Sequence, residues 1–235
     1  MHPILFKVGA FTLYSYGLMV AIGFGLAVYL ASATAPSHGI KKENVIDMAL
    51  CILIAGLVGA RFLYVILNID YYLARPMEVF YISQGGLVYY GAFLSGLLAS
   101  VICAFRMKVS FWKMADLFAP YIALAQAIGR VGCFLNGCCY GRGQHPVQIY
   151  ASLALFLIFL MLLLIQRRRR FAGEAFLSYC VLYSAKRFFM EFLRGDNPRI
   201  LFGLTVSQAI SLLLFAGAVF AYAVFFKRWK KNIRL

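Results

Sequence analysis

The chain is short of acids. Its 235 residues hold 8 Asp and Glu against 23 Lys and Arg, and all charged residues together make up 13%, about half the share of a soluble domain. Hydrophobic residues reach 63%, where soluble chains hold roughly 45–50%. A soluble fold is therefore excluded, and so is a soluble nucleic-acid binder, which needs a polar face on which to carry its basic patch. Long polar connections are missing as well, since the longest gap between apolar runs is about thirteen residues. No internal repeat, low-complexity segment or linker is visible. The six cysteines are too few and too scattered for a disulfide scaffold. The N-terminus has neither a basic leading segment nor a small-residue cleavage site, so the first apolar span is expected to insert and stay.

What is present is a series of apolar runs near 12–32, 46–68, 80–105, 112–134, 148–166, 172–191 and 203–226. Each is about the twenty residues that a helix needs to cross a bilayer. The expected fold is an all-α integral membrane protein of seven transmembrane helices, forming a single polytopic domain over 1–235. Segments 33–45, 106–113, 166–172 and the tail after 226 hold fourteen Lys and Arg, whereas the N-terminus and loops 69–79, 135–147 and 192–202 hold five. The positive-inside bias then places the N-terminus outside and the C-terminus in the cytoplasm, together with the run Arg167 to Arg170.

Four basic residues remain, all within spans: Arg61, Arg130, Lys186 and Arg187. Each costs on the order of 2.5–3.5 kcal/mol at a helix centre unless something compensates it. Asp47 and Asp116 begin their helices at the cytoplasmic end, so Glu191 is the acid placed near the four. In the expected orientation the four cations lie in the outer halves of their helices. Tyr16 and the segment Gly85 to Gly91 share that depth. A cationic cavity below the outer surface follows, suited to an anion, and the planar fork of Arg fits a phosphate. At that depth the available anion is phospholipid. The competing reading is that each Arg snorkels to the interface or pairs with helix carbonyls.

Between the fourth and fifth runs the chain reads Gly129-Arg130-Val131-Gly132-Cys133-Phe134-Leu135-Asn136-Gly137-Cys138-Cys139-Tyr140-Gly141-Arg142, followed by His145-Pro146-Val147-Gln148-Ile149-Tyr150. Four glycines in thirteen residues at the end of a span permit tight turns and close approach to a ligand. This segment resembles the signature of the prolipoprotein diacylglyceryl transferase family, Gly-Arg-x-Gly-x-Phe-x-Asn-Gly followed by His-Pro-x-Gln-x-Tyr. The resemblance extends to Tyr16-Gly17-Leu18-Met19, Gly59-Ala60-Arg61, Asp116-Leu117-Phe118-Ala119-Pro120, and Arg187 with Glu191-Phe192-Leu193-Arg194.

The resemblance implies transfer of the diacylglyceryl group of phosphatidylglycerol to the thiol of a lipobox cysteine in a preprolipoprotein. Glycerol phosphate would be released at the outer face of the bacterial inner membrane, with no cofactor or metal. The implied catalytic residues are Arg130, Arg187, Tyr90 and His145, and the implied substrate-binding residues are Tyr16, Arg61, Asn136, Gly137, Gln148, Tyr150, Glu191 and Arg194. The chain departs from the family at three places. Tyr90 stands where enterobacterial members have His, Cys133 where Asn is frequent, and Cys138 where an acid is frequent. Tyrosine is a poor base at neutral pH, which leaves His145 as a reserve. The cysteines 133, 138 and 139 show no paired C-x-x-C or His spacing for zinc, and packing or an incidental disulfide is the expected role. Gly56, Gly59, Gly91 and Gly96 are expected at helix contacts. A related transferase with another acceptor, an anion or lipid transporter, and a silent scaffold are the alternatives. A transporter would favour interrupted helices and repeated topology, and neither is visible.

Overall fold

Lipid offers no partner for backbone N–H and C=O groups, so a chain this apolar must satisfy them within helices. The computed structural model describes residues 3–8, 11–81, 85–141, 145–195 and 203–233. Eight helices run along these residues: α1 Ser15–Thr34, α2 Lys42–Leu67, a short α3 Ile69–Ala74, α4 Tyr89–Arg106, α5 Phe111–Asn136, α6 Val147–Arg167, α7 Glu174–Leu193 and α8 Val206–Ile233. All but α3 and α7 are long and apolar enough to cross a membrane. Large apolar side chains such as Phe105 (83%) and Leu213 (76%) stand exposed, as they do where the solvent is hydrocarbon.

The helical expectation holds, with three differences. First, residues ahead of α1 pair as an antiparallel hairpin, β1 Ile4–Val8 with β2 Phe11–Tyr14. Their alternation was too short to stand out beside the apolar run that follows. Second, within the expected run 80–105 the α-helix of the described residues begins at Tyr89. Gly85 and Gly86 take left-handed φ of 87° and 75°, which keeps the backbone before Val88 out of the helix. Third, α7 spans 20 residues but is not among the six helices apolar enough to cross, because it carries Glu174, Lys186, Arg187 and Glu191. Along α7 only Phe189, Phe192 and Leu193 are exposed. Its polar groups are compensated by protein rather than by lipid.

Contacts divide the chain into two compact units, residues 35–114 and residues 1–34 with 115–235. In the first unit α2 packs along α4. A Cβ on Gly59 would lie 2.7 Å from the Gly91 carbonyl oxygen and collide with Ser95, and one on Gly91 would strike the Gly59 carbonyl. Glycine at both positions thus sets the approach of the two backbones. Gly56 and Gly96 lie on the same seam at ordinary contact distance from Ala92 and Ile52, as expected.

In the larger unit, α1 crosses α5 in the same way. A Cβ on Gly23 would sit 2.9 Å from the Ala125 carbonyl oxygen, and one on Gly132 would sit 2.9 Å from Met19 Cβ and 3.4 Å from Tyr16. Ala119, Ala123, Ile158, Leu162, Ala175, Tyr179, Cys180 and Ala218 join α5, α6, α7 and α8 in one core. Asp116, fully buried on α5, accepts from the backbone N–H of Gly173 (2.7 Å) and of Phe176 (3.0 Å). It therefore caps the first turn of α7 from a neighbouring helix, and its charge faces the positive end of that helix. Gln166 donates to the Asp116 carbonyl (2.8 Å), and Glu174 is held by Arg170 and the Tyr222 hydroxyl. This polar knot fixes where α7 starts, and hence the depth of the residues it carries.

Candidate active site

The Gly-rich segment is first of all a helix terminus. Asn136 ends α5, and Gly137 at φ 75° turns left-handed. The Gly137 N–H donates to the Phe134 carbonyl and the Cys138 N–H to the Cys133 carbonyl, both at 3.2 Å. These two bonds are those of a Schellman cap, in which glycine is preferred because it has no Cβ to strain. Cys139 then takes φ 60°, a left-handed conformation that costs a non-glycine residue about 1 kcal/mol or more. Three contacts hold it there. Buried Gln148 donates to the Cys138 carbonyl (2.8 Å), Gly195 N–H donates to the Tyr140 carbonyl (3.4 Å), and Gly141 pairs with Arg194 as an antiparallel bridge. The turn is thus stitched both to the start of α6 and to the end of α7.

Beside that stitching lies a narrow recess bordered by Arg130, Cys139, Gln148, Lys186, Arg187 and Arg194 along with Val147, Ala151 and Met190. α5 contributes Arg130, the first turns of α6 contribute Val147, Gln148 and Ala151, α7 presents Lys186 and Met190 at a spacing of four, which places them on one face, and Arg194 follows directly after the helix in an extended conformation. Four basic side chains therefore meet in one place. Arg187 is restrained by Glu191 (3.3 Å) and by the Ser207 hydroxyl, to which it donates (2.9 Å). Glu191 is buried at 3% exposure and accepts from the Thr205 hydroxyl (3.1 Å). Lys186 lies over the Tyr183 ring, 4.9 Å from its centroid. Arg130 has no ion pair or hydrogen bond among the described residues, which makes it the group best able to meet an incoming anion.

The Cys139 thiol, beyond the end of α5, is held well below the usual thiol range. A hydrogen bond from Cys133 is the main cause, and burial opposes it. The guanidiniums of Arg194 and Arg130 add to the lowering. Electrostatically the recess favours negative charge, whether on a thiolate or on a phosphate.

Not every expected site residue converges there. Arg130, Arg187, Arg194 and Gln148 border the recess, Glu191 supports it through Arg187, and Tyr16 lies over Gly132, 44% exposed. Asn136 and Tyr150 are exposed, and His145 is exposed just before α6. Arg61 and Tyr90 belong to the 35–114 unit. Tyr90 stands exposed on the first turn of α4. Arg61 is buried at 7% exposure and donates to five carbonyls: Val79 (2.8 Å), Gly85 (3.0 Å), Gly86 (3.2 Å), Glu78 (2.7 Å) and Tyr81 (3.3 Å). Its guanidinium also lies over the rings of Tyr64 and Tyr72, 5.7 and 5.4 Å from their centroids. Five donors on five carbonyls leave it compensated by peptide dipoles. The sequence counts Lys186 among the four cations of the cavity but gives it no role of its own, and it does not point to Thr205 and Ser207. Their available signal was a pair of hydroxyls just before and at the start of the apolar stretch of α8.

A predominantly helical chain with six membrane-length apolar helices is a polytopic membrane protein, and its recess gathers four basic side chains. The family model described as prolipoprotein diacylglyceryl transferase matches residues 3–224, and the chain belongs to that family. It is 33% identical to the phosphatidylglycerol–prolipoprotein diacylglyceryl transferase of Clostridium tetani, with 95% of this chain and 98% of the relative covered. The proteins of the same name from Clostridioides difficile (35% identical; 95% and 97% covered) and Listeria innocua (33%; 99% and 92%) are similarly close in length.

Proposed function

We propose that this protein is a phosphatidylglycerol–prolipoprotein diacylglyceryl transferase acting at the outer face of the bacterial inner membrane. The observation that carries the reading is the recess of Arg130, Lys186, Arg187 and Arg194 beside the family signature. Arg130 and Arg187 hold the phosphate of phosphatidylglycerol, and Arg194 adds to the field. The thiolate of the lipobox cysteine attacks the glyceryl carbon that carries the phosphate ester. A C–S bond forms, the C–O bond breaks, and its electron pair leaves on the oxygen of glycerol phosphate. The guanidiniums stabilise the charge growing on that leaving group.

The thiol proton must be removed first. A cationic environment lowers the pKa of an acceptor thiol by itself, so a modest base is enough. Exposed His145 accepts the proton, and Tyr90 hydrogen-bonds substrate rather than acting as the base. Tyr16, Asn136, Gly137 and Tyr150 contact lipid or peptide, and Glu191 orients Arg187. Gln148 and Arg61 act as positioning residues, Gln148 through the 137–141 turn and Arg61 through residues 78–86. We read α7 as the seventh span, the N-terminus as outside, the C-terminus as cytoplasmic, and residues 1–235 as one polytopic domain made of both units.

The test is turnover. Purified protein in phosphatidylglycerol vesicles labelled in the acyl chains, given a lipobox peptide, is expected to move label onto the peptide cysteine and to release glycerol phosphate. Label that crosses or leaves the bilayer without joining the peptide would instead support a transporter.

A further inference from the structure

The three cysteines of the signature turn are five and one residues apart, a spacing that suggests no metal site when read linearly. The helix cap changes this. Cys133 accepts the longer bond of the Schellman motif and Cys138 donates it, so the wrap that ends α5 folds residue 138 back over residue 133. The Cys138 thiol itself reaches the Cys133 carbonyl at 3.7 Å. The left-handed φ of Cys139 then turns the third side chain to the same side. The three Sγ atoms all lie within 4.8 Å of one another.

Thiolates bound to one tetrahedral ion at metal–sulfur distances of about 2.3 Å stand roughly 3.8 Å apart. The cluster therefore needs to close by no more than about 1 Å, within reach of small χ1 rotations. We propose that Cys133, Cys138 and Cys139 form a three-thiolate site for a thiophilic d10 cation, Zn(II) or Cu(I), at the border of the cationic recess. Three sulfur ligands with no carboxylate among them select soft ions over Mg(II) or Ca(II). Three thiolates on a divalent ion carry a net charge of minus one, and Arg130 and Arg194, which border the recess with Cys139, offset it. The scaffold is already fixed by the Gln148 bond to Cys138 and by the Gly141–Arg194 bridge, so little ordering remains to be done on binding. The remaining cysteines, Cys51, Cys103 and Cys180, lie on α2, α4 and α7 and are not part of this group.

The site can be tested without turnover on the full-length protein in detergent, reduced with a phosphine and kept anaerobic. Titration with Cd(II) is expected to raise a sulfur-to-metal charge-transfer band in the ultraviolet that saturates at one equivalent. The band should persist when Cys51, Cys103 and Cys180 are changed to Ala and vanish when Cys133, Cys138 and Cys139 are changed to Ser. A second readout needs no variant. Saturating Cd(II) should slow maleimide alkylation of the 133, 138 and 139 thiols at least tenfold in the wild-type chain, as read by mass spectrometry. Absence of the band in wild type, its survival in the triple Ser variant, or alkylation unaffected by Cd(II) would each overturn the proposal.

Discussion

A guanidinium inside a membrane protein must find compensation, and Arg61 and Arg130 show two ways of doing so. Arg61 spends its donors on five carbonyls between residues 78 and 86. Removing it leaves those oxygens without donors at about 1 kcal/mol each before any water enters. Arg61→Ala is therefore expected to lower thermal stability in detergent by several degrees. Arg61→Lys recovers only part of it, because an ammonium offers three donors in place of five; equal melting for all three chains would reject the role. Arg130 has no such partners, so its change to Ala should leave melting nearly unaltered and cut turnover by roughly 10²–10³. Lys should restore little, since a point charge does not reproduce a two-pronged contact, and near-normal turnover in Arg130→Ala would remove it from the mechanism. Cys139 makes a third case. Because its pKa is lowered, its reactive thiolate persists as pH falls below the ordinary thiol range, whereas an unperturbed thiol near 8.5 loses about tenfold in rate per unit. Iodoacetamide labelling of Cys139 followed from pH 8.5 to pH 6.5 should decline by less than tenfold, and a hundredfold decline would contradict the assignment. All four intramembrane cations were legible in the sequence, because charge in an apolar run cannot hide. Which of them carbonyls would satisfy was not, since the carbonyls that Arg61 meets lie seventeen to twenty-five residues along the chain.

At the scale of elements, α7 shows why a polar helix can sit among apolar ones. It carries Lys186 and Arg187 to the recess, ends just before Arg194, and begins at a cap that belongs to α5 rather than to its own sequence. Gly173, the residue before its first turn, is left-handed at φ 98° and offers no capping side chain of its own. Asp116 supplies the missing acceptor for two N–H groups, and losing such a cap costs about 1–2 kcal/mol. Asp116→Ala should thus lower melting, and Asp116→Asn, which keeps an acceptor, should lower it less. Both should reduce turnover beyond what melting explains, because the start of α7 sets the depth of Lys186, Arg187 and Arg194. Unchanged turnover in a destabilised Asp116→Ala would separate the cap from the site. The Asp-Leu-Phe-Ala-Pro stretch was visible as a motif, but its purpose was not, since capping another helix is a tertiary event. Gly59 and Gly91 were readable as packing positions, because small residues in apolar helices have few other uses. The N-terminal hairpin was not, since five residues against four give too little alternation to separate strand from the edge of a span.

For the whole molecule, the remaining question is which face of the membrane sees the recess. The basic residues divide fourteen against five between alternate connections, and the positive-inside bias acts through short loops of this kind. The run Arg167 to Arg170 follows α6, while the signature turn precedes it. One 21-residue helix of about 1.5 Å per residue is enough to put the two on opposite faces. On the proposed reading the acceptor cysteine meets the enzyme at the outer face, so a transferase with an inward recess would not reach it. In a chain whose six native cysteines are changed to Ala, a single cysteine at Gly143 should react with a membrane-impermeant maleimide added to intact cells. One at Arg168 should react only after the membrane is opened. The proposed seventh span makes the experiment sharper. If α7 crosses, a cysteine at Asn232, near the end of α8, is protected like the one at Arg168 and unlike the one at Gly143. If α7 fails to cross while the rest stands, Asn232 becomes reactive from outside and Arg168 stays protected, which would correct the span count alone. Protection at Gly143 with reaction at Arg168 would invert the protein, and the assignment of Arg130 and Arg187 to an outward lipid phosphate would fall with it.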